Sequence, residues 1–177
     1  YLKVFLNKKK KGIKTWLGAF CMMKKLVIVH GWADSPRGSW FPWLKKEAEK
    51  LGFEVFVPAM PDPDHPEIQP WVRKLSRIVK DPDRNTFFIG HSVGCQTILR
   101  YLETLPSTTR IGGVLFVGGW FSLKPLETDE EKAIAQPWVD TPLNFKKIKI
   151  MIPKTVALFS DNDPWVSLGN ADRMKKE

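Results

Sequence analysis

The stretch FFIGHSVGCQTILRYLETLP, from Phe87 to Pro106, changes period in its middle. A flat apolar run stops at Gly90, an isolated Ser92 follows, and helical spacing begins after Gly94. A strand that turns directly into a helix forces its corner residue into a strained backbone conformation. Side chains two positions to either side of the corner collide, so both flanks must be glycine. The spacing G-x-S-x-G, with a strand before it and a helix after it, meets that requirement. It makes Ser92 a candidate nucleophile whose hydroxyl stands proud of a sheet. The N–H of Val93, at the helix start, points to the same place and can donate to a developing oxyanion. A plain glycine-flanked turn is the competing reading, and it needs chance to supply the strand, the helix and the position together.

The rest of the chain is punctuated in the same way. LVIVHG (Leu26–Gly31) is a β-branched run closed by glycine, as a parallel strand buried on both faces would be. SWFPWLKKEAEKLG reads as a helix stopped by Gly52, and FEVFVP (Phe53–Pro58) as a second strand. MPDPDHP (Met60–Pro66) can only be a loop, and EIQPWVRKLSRIV is a helix. NTFFIG (Asn85–Gly90), IGGVLFVGG (Ile111–Gly119) and KTVALFS (Lys154–Ser160) supply three more strands. Between the last two lies a polar, proline-punctuated stretch, Ser122 to Lys149, with at least one short helix around Asp129 to Ala135. A final helix begins in SLGNADRMKKE. Alternating strands and helices predict an α/β fold with a mainly parallel sheet and helices on both faces.

In such sheets ligands sit beyond the carboxyl ends of the strands. Here those ends carry His30-Gly31-Trp32, Gly90-His91-Ser92, Gly118-Gly119-Trp120 and Ser160-Asp161-Asn162-Asp163. The polar chemistry collects on one edge. The Trp32 N–H is assigned as the second oxyanion donor, and His30 as a strand-end residue that packs its loop. Asp161 and Asp163 compete for the carboxylate that would serve a serine. Asp163 is favoured, because it lies further into the turn and a proline stiffens the loop after it; the other aspartate is expected to cap the turn. Trp32, Trp120 and Trp165, beside these loops, are the candidate walls of a substrate pocket, against the alternative of core packing.

LVIVHGW, MPDPDHP, IGHSVG and LFSDNDPWV, in this order and spacing, resemble the compact serine hydrolases typified by retinoblastoma-binding protein nine. The resemblance runs from Lys24 to about Lys175 and implies a minimal α/β-hydrolase without a large lid. It implies Ser92 as nucleophile, Asp163 as acid, a small carboxylic ester or similar acyl compound as substrate, and no cofactor or metal. The family would place a histidine near its C-terminus, after one more strand. This chain has only His30, His65 and His91. His91 adjoins Ser92 and should diverge from it, and His65 sits in the proline-rich loop as a rim residue. The domain, residues 23–177, is therefore expected to be incomplete at its C-terminus by a strand and a helix, with little activity of its own.

The net charge of +9 invites a nucleic-acid reading, but residues 1–25 carry eight lysines and no acid, leaving +1 for the remainder. The charge describes a basic N-terminal extension, residues 1–22, not the domain, so it gives the domain no nucleic-acid partner. The two cysteines, Cys21 and Cys95, have no metal-ligand spacing and suggest no disulfide framework. No stretch approaches the roughly 18 apolar residues of a membrane span. The chain is read as cytoplasmic, with a non-catalytic protein-binding module as the alternative to an ester hydrolase.

Overall fold

The computed structural model describes residues 23–177; the basic extension and Cys21 lie outside the described residues. Five strands are β1 (Lys24–Val29), β2 (Phe53–Phe56), β3 (Thr86–His91), β4 (Gly113–Val117) and β5 (Thr155–Leu158). All four pairings are parallel, in the order β2-β1-β3-β4-β5. Six helices accompany them: α1 (Phe41–Lys50), α2 (Ile68–Ile78), α3 (Val93–Thr104), α4 (Asp129–Asp140), α5 (Phe145–Met151) and α6 (Gly169–Lys176).

The continuous apolar runs are explained by burial of both faces. Leu26 and Ile28 of β1 join Ile89 of β3 under Phe41 and Ala48 of α1. Val27, Val29, Phe88, Val114 and Phe116 point the other way, against α2, α3 and α5. Successive side chains alternate faces, so a strand sandwiched between helix layers has no position left for a polar residue. Two helix ends follow their sequence signals: Pro42 occupies the first turn of α1, and Gly52 beyond it takes φ +84°.

The polar middle segment is more ordered than its composition suggests. The helix starting at Asp129 runs on to Asp140, with Pro137 in its last turn, and α5 is a second helix. Buried partners hold both. Trp138 of α4 is 2% exposed and donates its indole N–H to Pro66 O at 2.8 Å. Arg100 of α3 donates to Trp138 O at 2.8 Å and Thr141 O at 2.9 Å. Apolar surface remains open at β5, where Val156 and Leu158 are more than half exposed. No helix among the described residues is long and apolar enough to cross a membrane.

Candidate active site

The elbow between β3 and α3 has no spare space. Ser92 sits at φ +51°, ψ −121°, a region that side-chain-bearing residues rarely adopt, at a cost of about 1–3 kcal/mol. Its N–H donates to Val117 O at 2.9 Å, and its carbonyl accepts from the Cys95 N–H at 3.0 Å. A Cβ on Gly90 would lie 2.7 Å from Cys95 N, and one on Gly94 would run into the Val29 and His30 carbonyls. Both flanks must be bare for α3 to start this close to the sheet. Cys95 fills the inside of the turn: its Sγ donates to Gly90 O at 3.1 Å, and full burial pushes the thiol pKa up to about 12. It is a packing residue.

The β1 end lies against this elbow. A Cβ on Gly31 would be 2.9 Å from His91 Nδ1 and 3.3 Å from Ser92 Cβ. His30 is fully buried; its Nε2 accepts the Met60 N–H at 3.0 Å, which leaves Nδ1 to donate to Gly31 O at 2.9 Å. Burial lowers its pKa, so it is a neutral brace between two loops. Trp32 is pinned to the proline-rich loop through its indole N–H, which donates to Asp64 O at 2.8 Å. The backbone N–H groups of Trp32 and Val93 have no acceptor among the described residues, unlike that of Ala33, which donates to Pro63 O.

The turn after β5 brings in Asp163. Its Oδ1 accepts the N–H groups of Trp165 at 2.9 Å and Val166 at 2.8 Å, so this aspartate caps its own turn. Its Oδ2 faces Gly118, at 3.9 Å from where a Cβ would stand. Asp163 shares a cavity of about 530 Å³ with Ser92, Trp32, Trp120 and Trp165. Asp161 is exposed, does not line that cavity and makes no hydrogen bond among the described residues. The expectation that it caps the turn is therefore corrected: Asp163 caps the turn through Oδ1, and its Oδ2 takes no part in the cap.

No imidazole meets the serine. His91 lines the cavity, but its Nδ1 lies 3.9 Å from Asp34 Oδ2, and its ring packs edge-on against Trp40. Burial lowers its pKa. His65 stands exposed at the cavity mouth between Asp62, at 3.5 Å, and Glu130, at 3.3 Å; hydrogen bonds to those carboxylates raise its pKa. The Ser92 Oγ accepts instead from the indole N–H of Trp120, at 3.3 Å. Sequence reasoning placed Trp120 on the pocket wall and had no signal for this bond, which depends on how β4 ends. No group of side chains that could hold a metal ion occurs among the described residues.

Comparison with known proteins agrees with this geometry. The serine hydrolase family model matches residues 26–177. The protein YdeN of Bacillus subtilis is 36% identical over 104 residues, covering 59% of this chain and 55% of YdeN. Serine hydrolase RBBP9 of Rattus norvegicus is 28% identical over 145 residues, covering 80% of this chain and 73% of RBBP9. The crystal structure of the B. subtilis ydeN product superposes with a TM-score of 0.78 at 28% identity, over 87% of this chain and 80% of that one. The chain thus spans little more than half of YdeN in sequence, while its sheet and elbow follow that α/β-hydrolase fold. With the family model covering everything from Leu26 onward, the protein belongs to the serine hydrolases.

Proposed function

We propose that Ser92 is the nucleophile of an acyl-transfer site that cleaves small carboxylic esters. The observation that carries this is the positive φ of Ser92 at the strand-to-helix corner, which aims a lone hydroxyl into the cavity. In this reading the Oγ bonds to the acyl carbon, its proton passes to solvent hydroxide or water, and the N–H groups of Trp32 and Val93 hold the developing oxyanion. The alcohol departs with a proton, and water then releases the acid from Ser92. Asp163 supplies the carboxylate of the site, through the Oδ2 it leaves free of its own turn. Trp32, Trp120 and Trp165 hold the acyl or alcohol group, and no metal or cofactor enters. A buried, reduced Cys95 fits a cytoplasmic setting.

With no described histidine on the Ser92 Oγ, these 177 residues are expected to turn over activated esters slowly. Oxyanion donors and binding by themselves sustain about 10³–10⁴-fold over water. A second reading is a non-catalytic protein-binding module on a hydrolase fold, favoured by the lack of an imidazole on the Ser92 Oγ among the described residues. A fluorophosphonate probe and p-nitrophenyl acetate separate the two. Slow covalent labelling at Ser92 that disappears in Ser92→Ala, together with weak turnover, supports the hydrolase. A chain that never labels, or that labels equally after Ser92→Ala, refutes the nucleophile assignment.

A further inference from the structure

Trp120 is fixed far more firmly than a pocket wall requires. Its backbone carbonyl accepts from Gln96 Nε2 at 2.8 Å, and Gln96, on α3 one turn beyond Ser92, is 1% exposed. Asn170 of α6, 2% exposed, secures the next two residues: its Oδ1 accepts the N–H groups of Phe121 at 2.7 Å and Ser122 at 3.2 Å. Its Nδ2 returns a hydrogen bond to Ser122 O at 3.0 Å. The two preceding glycines bring the chain down to α3. Gly118 takes φ +56°, and a Cβ on Gly119 would lie 3.0 Å from Met174 Cε and 3.3 Å from Cys95 Cβ. Two helices, α3 and α6, thus hold the backbone that carries this indole, itself 2% exposed, with its only polar atom 3.3 Å from the Ser92 Oγ.

An indole nitrogen donates and cannot accept, so the direction of this bond is fixed. It occupies a lone pair of the Oγ and leaves the hydroxyl proton free on the other side. A donor gains more from an alkoxide than from an alcohol, so the bond strengthens as the serine loses its proton.

We infer that Trp120 is a positioning residue for Ser92, its indole N–H selecting the Oγ orientation and supporting the alkoxide as the proton leaves. The inference rests on the nucleophile reading of Ser92. In fluorophosphonate labelling, the Oγ–P bond forms, the P–F bond breaks, fluoride departs and the serine proton passes to solvent hydroxide or water. Trp120→Phe keeps an aromatic ring and removes only the donor with part of the ring. The expected result is a labelling rate about tenfold lower, with its pH profile moved to higher pH, as loss of a hydrogen bond to a charged group implies. Trp43→Phe, at an exposed tryptophan of α1 that lines no part of the cavity, should leave the rate and the pH profile where they are.

A second measurement needs no reaction. In ¹⁵N-labelled protein the Trp120 indole N–H resonance should move in Ser92→Ala, which removes its acceptor, and the other indole resonances should not. An unmoved Trp120 resonance overturns the inference even if Trp120→Phe fails to fold. So does an unchanged rate and pH profile in a folded Trp120→Phe. Labelling that survives Ser92→Ala instead overturns the nucleophile reading, and this inference with it.

Discussion

At the scale of single residues, the elbow depends on what is missing from Gly90 and Gly94. Adding one methyl at Gly94 sets it against two carbonyl oxygens, the farther of them at 2.6 Å, and neither β1 nor α3 can withdraw without breaking a layer of core. Gly94→Ala should cost about 3 kcal/mol by the usual penalty for overpacking. Gly52 makes the comparison, because its φ is +84° but nothing lies within 4 Å of a Cβ there. Gly52→Ala should cost about 1 kcal/mol, from backbone strain alone. Urea unfolding of the two variants checks the difference, and equal losses would show that the elbow has room after all. The pair of glycines was legible in the sequence, because a steric demand of the backbone leaves glycine as its only solution. The division of labour in Asp163 was not, since a turn cap and a cavity-facing carboxylate are the same residue type.

At the scale of elements, strands and helices differ in how openly they declare themselves. The apolar runs Leu26–Val29 of β1, Phe87–Ile89 of β3 and Val114–Val117 of β4 follow from both faces being covered there, and that pattern survives translation into three dimensions. α4 is different. Its sequence is acidic and carries Pro137, so only its start was readable. The start is specified locally: Thr128 Oγ1 accepts the Glu131 N–H at 3.1 Å, and Glu131 Oε2 accepts the N–H groups of Thr128 and Glu127. This capping box satisfies donors that the first turn would otherwise leave bare. Thr128→Ala should therefore destabilise the protein by about 1 kcal/mol. Amide exchange should accelerate in the first turn of α4, while α3 stays protected. The far end of α4 depends instead on Arg100 and Trp138, whose partners are 38 and 72 residues away in sequence.

At the scale of the whole molecule, the buried imidazoles tie stability to pH. Burial holds His30 and His91 below their ordinary 6.5, so the folded state binds fewer protons than the unfolded chain. The stability they contribute is complete above pH 6.5 and is lost as pH falls from there toward their folded values. His65 has the opposite sign, being raised by Glu130 and Asp62, but it is fully solvated and its contribution is screened. The urea midpoint should therefore drop between about pH 7.5 and pH 5.5, with proton uptake on unfolding. A midpoint that rises over that interval would mean that exposed His65 outweighs the two buried rings. The open β5 edge, with Val156 and Leu158 turned to solvent, belongs to this scale as well, since an uncovered apolar edge strand favours association.

The sequence by itself determined the α/β alternation, the strained serine, the pairing of polar loops with strand ends and the membership in a hydrolase family. Each of these follows from period, sterics or motif, which are properties of neighbours along the chain. Only the tertiary structure decided that Trp120 donates to Ser92, that His91 turns toward Asp34, that Asp163 and not Asp161 reaches the cavity, and that His30 is a neutral brace. Those outcomes depend on which loops a parallel sheet carries to the same edge, and on the few ångströms and degrees by which each side chain finds a partner there. The contacts of Trp120 with Ser92, His30 with Met60 and His91 with Asp34 join residues 28 to 57 positions apart, a separation at which the chain carries no local signal.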